Sequence, residues 1–265
     1  MTTSGHTASF DGLVDWARAR GLDLVGVVDP HAFDGCQPAG RRASDHVPDC
    51  ESIIVLGSGG RRCWEHLNEI RPAEFADGPA EGHHPIDRWS LEVAEELAGA
   101  LGDLADGHSI VLPNDDRTLN FVQLAEMAGF GTVSPVIHQL LHPDYGPWVS
   151  LRAALLLRTR PFAPFDPTTA APFEPCHDCH KPCLLGCPVD AYSSTKGPFS
   201  VCADHRIAGG CADGCGVRRD CCIGREHRYG PNEEAFRHAY SLYVMRQIAR
   251  GRGLLGIVRS LWRRR

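Results

Sequence analysis

The chain has 265 residues, 43% of them hydrophobic and 23% charged, a globular balance that can bury a real core. A net charge of −6 gives no general attraction to nucleic acid. No apolar run reaches the roughly 18 to 20 residues needed to cross a bilayer, and the opening MTTSGHTASFDGLVDWARAR has no basic segment followed by an apolar one. A cytoplasmic protein without a transmembrane segment is expected.

In chain order, FDGLVDWARAR sets Phe10, Leu13, Val14 and Ala17 at helical spacing, with Gly21 to stop the helix. LDLVGVV and SIIVLGS (52–58) read as strands, the second buried. GSGGRR follows that strand without the spacing of a phosphate-binding loop, so it reads as a turn. IDRWSLEVAEELAGALGDLAD (86–106) reads as a long helix, SIVL (109–112) as a short strand, and LNFVQLAEMAGFG as a helix closed by Gly129. TVSPVIH (132–138) and SLRAALLLR (150–158) are further strands. Helices alternating with buried strands predict a mixed α/β (α+β) domain over 1–160.

PFAPFDPTTAAPFEP, with five prolines in fifteen residues, predicts a stiff linker over 161–175. A cysteine-rich module follows over 176–224, then a C-terminal helical segment over 225–265 opening with NEEAFRHAYSLYVMRQIAR. Its end gathers Arg250, Arg252, Arg259 and Arg263 beside Leu254, Leu255, Ile257 and Trp262. A solvated helix end accounts for this pattern, and a basic amphipathic helix touching a membrane or an acidic partner is the alternative.

Nine of the twelve cysteines lie between 176 and 222, and in a reducing compartment such clustering points to metal ligands rather than disulfides. Cys36, Cys50 and Cys63 stand apart as plain thiols. The first set, Cys176, Cys179, Cys183 and Cys187 followed by Pro188, is a bacterial ferredoxin spacing with one extra residue, Pro182. In such runs three cysteines wrap one cluster and the fourth, before proline, turns to a neighbouring one. Cys202, Cys211, Cys215 and Cys221 raise the number of thiolates to eight, which suits two [4Fe–4S] clusters. Crossed pairing groups Cys176, Cys179 and Cys183 with Cys221, and Cys187 with Cys202, Cys211 and Cys215. Cys222 is the alternative to Cys221. A zinc-stabilised structural protein is the competing reading, but only Cys176 and Cys179 form a zinc-like pair, and the cysteine–proline ending has no zinc rationale.

PCHDCHKPCLLGCPVDAY resembles the ferredoxin-like segment of the epoxyqueuosine reductases and reductive dehalogenases. LAEMAGFG and HPDYGPWVSLRAALL precede it in the same order. The resemblance implies a corrinoid-dependent reductase with a ferredoxin-like two-cluster module, cobalamin, and a corrinoid or substrate pocket in the domain at 1–160. It implies Asp115 as proton donor, a position that a helix cap also explains. His138, His142 and Tyr145 are candidate cofactor-binding residues near the same segment. The chain departs from the reductases at Ser134-Pro135-Val136, and only 43 residues follow Cys222 where they carry a helical-repeat region that helps hold tRNA. With the acidic balance, this sets the expectation of a small-molecule substrate, no nucleic-acid partner, and a redox donor of ferredoxin or flavodoxin type. A ferredoxin-like carrier that docks a partner enzyme is the alternative function.

Overall fold

Among the described residues six strands carry the framework: β1 (Leu24–Val28), β2 (Ser52–Gly59), β3 (Ser109–Val111), β4 (Thr132–Val133), β5 (Leu140–Leu141) and β6 (Val149–Leu157). β1, β2, β6 and β3 form one sheet in that order, antiparallel throughout, while β4 and β5 pair separately. The computed structural model describes residues 9–76, 85–115, 119–193, 198–243 and 245–246. The basic end of the chain lies outside them.

Alternation along the strands builds two cores, because successive side chains leave a strand on opposite faces. Ile54, Leu56, Ala153 and Leu155 enter one core with helices α1 (Phe10–Arg18), α3 (Arg62–Ile70) and α4 (Pro85–Leu101). Ile53, Val55, Ala154 and Leu156 enter the other with α2 (Pro30–Asp34) and α5 (Phe121–Met127). All eight residues of β2 are therefore buried in an antiparallel sheet, since helices cover both faces. Each fully buried Ile or Leu stabilises the fold by about 1.5–3 kcal/mol.

Several elements differ from the sequence expectation. The long helix stops at Leu101, where Gly102 takes φ +57 and a 3-10 turn continues to Ala105. TVSPVIH is a strand for only two residues, because Ser134 Oγ accepts hydrogen bonds from Val136 N–H and Ile137 N–H and folds the segment into a turn. α5 is capped by Asn120, whose side chain accepts from Gln123 N–H, so Asp115 is not its cap.

The proline-rich stretch is tied down at its start. Phe162 joins the first core, and Phe165 N–H donates to Val27 O at 2.8 Å. Beyond it come α6 (Pro198–Ile207), α7 (Gly216–Asp220) and a last helix, α8, over 231–243. Phe236 of α8 is buried in the first core against Trp64 and Phe75. The C-terminal segment thus closes back on the α/β domain, with the cysteine-rich loops between them in sequence.

Candidate functional site

The third core is small and rich in cysteine. Ile137, Leu141, Cys183, Val217 and Cys221 form its buried centre, with Cys176, Cys187 and Cys215 against it. Val136, Phe173, Leu184, Tyr192 and Ile223 also pack against it, partly buried, and a core of this size gives the unit little stability of its own. All twelve cysteines are free thiols.

Cys176, Cys179, Cys183, Cys221 and Cys222 line one small pocket with Ser134, Ile137 and Leu141. The extra residue in the ferredoxin spacing is absorbed by Lys181, which takes the left-handed φ of +55 and lets Pro182 open the 3-10 turn that carries Cys183. Ser134 Oγ lies 3.2 Å from Cys176 Sγ, and Lys181 N–H donates to Cys179 Sγ at 3.3 Å. Burial, then repulsion from Cys221, Cys179 and Cys176, pushes Cys183 up to about 11. Burial also raises Cys221, which feels Cys176 and Cys179 in turn. Four sulfurs therefore share one electrostatic environment, and soft cations relieve it by binding the deprotonated thiols. Cys222 is exposed, with its Sγ 3.4 Å from Cys179 Sγ.

Cys187, Cys202, Cys211 and Cys215 form the second group. Gly186 and Gly216 bring its loops together: a Cβ on Gly216 would stand 2.2 Å from Gly186 O, so neither position has room for a side chain. Ala191 N–H donates to Cys187 Sγ at 3.3 Å, and Cys215 N–H donates to Glu234 Oε1 at 3.3 Å. Burial raises Cys202 and Cys211, Cys215 adds to both shifts, and Arg206 opposes them. Among the described residues no three His, Cys, Asp or Glu side chains converge on a point fit for a single metal ion.

Beside the second group opens a cavity of about 890 Å³, at the upper end for small-molecule pockets. Cys187, Cys202, Cys211 and Cys215 form one wall, and Leu119 to Val122, His138 and Val149 to Arg152 lie on the α/β side. Asp87, Arg237, His238 and Tyr240 complete it. Tyr240 donates to Asp87 Oδ2 at 2.5 Å and accepts from Asn114 Nδ2 at 2.8 Å. Burial and Asp87 together push the Tyr240 pKa up. His238 donates from Nδ1 to Cys211 O at 3.0 Å, and burial, followed by Arg206, pulls its pKa down to about 4.

The sequence candidates distribute unevenly around this cavity. His138 lines it, with φ +53 and its ring stacked on Tyr192. His142 and Tyr145 are not among the lining residues. His142 Nδ1 accepts from Asp144 N–H at 3.0 Å, and the Tyr145 ring fills the space over Gly59. Asp115 is exposed and accepts from Leu112 N–H at 2.7 Å, outside the lining. The sequence reading passed over Arg152, Arg237, His238 and Tyr240. The one available signal was Arg152, a charge within the apolar run SLRAALLLR.

No protein-family model matches the chain, and no curated protein matches it. Several solved structures share its fold. An epoxyqueuosine reductase solved with an epoxyqueuosine-modified tRNA-Tyr stem loop superposes with a TM-score of 0.55 at 18% identity, over 85% of this chain and 68% of that one. The C. elegans B12-trafficking protein CblC gives 0.51 at 14% identity, over 91% and 96%. The reductive dehalogenase NpRdhA, in complex with 3-bromo-4-hydroxybenzoic acid, gives 0.51 at 18% identity, over 89% and 35%. The chain has the mixed α/β fold of the epoxyqueuosine reductases.

Proposed function

We propose that the chain is an iron–sulfur reductase of the epoxyqueuosine-reductase type, holding two [4Fe–4S] clusters and acting on a small molecule in the cavity with a corrinoid. Cys176, Cys179, Cys183 and Cys221 hold one cluster, and Cys187, Cys202, Cys211 and Cys215 the other. The carrying observation is that the second group of thiols is itself a wall of the cavity. Electrons arriving there need only a short step to a bound acceptor. The donor set fits, because eight soft thiolates in two groups of four suit iron–sulfur cubes. A bound corrinoid would supply a low-potential metal centre for the reduction.

This chain's own residues supply the rest. Arg206 is buried, hydrogen-bonded to Ser241 Oγ and His238 O, and offsets the negative charge of Cys202, Cys211 and Cys215. Tyr240, hydrogen-bonded to Asp87, holds a proton at the cavity wall. The donor role that the resemblance assigns falls to Asp115, which stands outside the cavity lining. Exposure of Cys222 beside Cys179 supports the first cluster as the entry point for a ferredoxin- or flavodoxin-type donor. Among the described residues no helix is long and apolar enough to cross a membrane. The net charge of −6 favours a small-molecule substrate over the tRNA seen with the structural relative.

One observation favours the carrier reading: Leu185, between Cys183 and Cys187, is 90% exposed, as a docking contact would be. The cavity is what that reading leaves unexplained. Anaerobic reconstitution followed by iron and sulfide analysis tests the cluster assignment. About eight of each per chain are expected, and zinc in place of iron, with no sulfide, would sink it.

A further inference from the structure

The cavity gathers five arginines beside the thiols of the second group. Arg41, Arg152, Arg206, Arg218 and Arg237 line it, against the single carboxylate of Asp87. Two of these arginines already have fixed tasks: Arg206 serves the second group of thiols, and Arg218 Nε donates to Pro147 O at 3.0 Å. Arg152 and Arg237 are different. They project from β6 and α8, each side chain only 14% exposed.

Their own protein contacts leave both unfinished. Arg152 Nη1 is 3.8 Å from Asp87 Oδ1, beyond hydrogen-bond distance, and Arg152 Nε is buried with no partner among the described residues. Arg237 donates from Nε to Glu233 Oε1 at 2.8 Å and from Nη1 to Ser150 Oγ at 2.9 Å, and its guanidinium stands 4.7 Å from the Tyr229 ring centroid, while Nη2 is buried without a hydrogen-bond partner among the described residues. A buried guanidinium lacking partners is costly, and two close together add mutual repulsion. Burial and Arg237 both pull the Arg152 pKa below its ordinary value. An anion with several acceptor oxygens offsets the repulsion between the two, and the planar guanidinium fork matches a carboxylate or phosphate.

We infer that Arg152 and Arg237 form an oxyanion subsite, and that the small-molecule substrate carries a carboxylate or phosphate held there. This rests on the reading of the cavity as the reaction site. It adds the substrate class: a molecule whose anionic end is held at β6 and α8.

The test is calorimetric titration of cluster-replete, corrinoid-free protein with inorganic phosphate and with benzoate. Arg152→Met and the charge-neutral pair Arg237→Met/Glu233→Gln are compared, with folding checked by circular dichroism and iron content. Saturable binding of either anion, weakened about tenfold or more in folded Arg152→Met, is expected. No saturable binding of either anion, or equal binding by the folded variants, overturns the subsite. Parallel titrations with cobalamin and with cobinamide, which lacks the nucleotide phosphate, separate the two sources of an anion. Loss of cobalamin but not cobinamide affinity in Arg152→Met would give the subsite to the cofactor's phosphodiester and overturn the substrate assignment. Corrinoid binding without anion binding sinks the subsite alone, whereas anion binding without corrinoid binding keeps the subsite and sinks the corrinoid.

Discussion

The hydroxyl of Tyr145 donates to Asp23 Oδ2 at 2.6 Å, joining the loop before β6 to the loop before β1. Asp23 Oδ1 also accepts from Gly59 N–H at 2.8 Å, so one carboxylate pins the ends of three neighbouring strands. Burial and Asp23 push Tyr145 up to about 12, which keeps its proton in place at neutral pH. Tyr145→Phe should destabilise the protein by about 1.5–3 kcal/mol, the range for a hydrogen bond to a charged group. Urea unfolding gives that number. Corrinoid affinity should be unchanged, because Tyr145 is outside the cavity lining; a marked fall would assign it the cofactor role suggested by the sequence.

Cys221 and Cys222 should respond differently to replacement. Cys221 is buried in the sulfur-rich core, while Cys222 is exposed beside Cys179. Cys221→Ser should reduce reconstituted iron from about eight to about four per chain, and Cys222→Ser should leave it near eight. The reverse pattern would make Cys222 the ligand.

Gly216→Ala tests the second group without touching a thiol. The new Cβ would stand 2.2 Å from Gly186 O, and both partners are backbone, so the loops must separate. Overpacking of this kind costs about 1–3 kcal/mol. Loss of the second cluster's paramagnetic signal with retention of the first is expected. Two intact signals would show that the close approach is not needed.

His238 should make stability depend on acidity. Its folded pKa of about 4 lies below the 6.5 of an unperturbed histidine, so the unfolded chain binds more protons between those values. The contribution is fully present above pH 6.5 and is lost as pH falls towards 4. Melting temperatures across that window should fall less steeply in His238→Gln than in the parent. Parallel curves would rule out His238 as the source.

Local patterns carried much of the fold. The eight-residue run of β2 and the Val149–Leu157 strand announce themselves by unbroken apolar composition. The helix α3 escaped notice because Cys63 and Leu67 are its only fully buried residues, among charged neighbours. TVSPVIH fooled the strand rules because one hydroxyl, that of Ser134, satisfies two backbone donors that a strand would have paired across a ladder. The spacing of the cysteines suggests their grouping, because a ligand before proline turns away from its neighbours. The cavity could not be read this way. Arg152 and Arg237 are 85 residues apart in sequence and meet only because Phe236 draws α8 into the first core.

The most direct test of the central claim is an anaerobic titration of the iron-replete protein with cob(II)alamin, followed by absorbance and electron paramagnetic resonance. Saturable binding, with loss of the lower axial nitrogen signal and a change in the second cluster's spectrum, is the predicted result. Two intact cluster spectra with no corrinoid bound would contradict the reductase reading and leave an electron carrier.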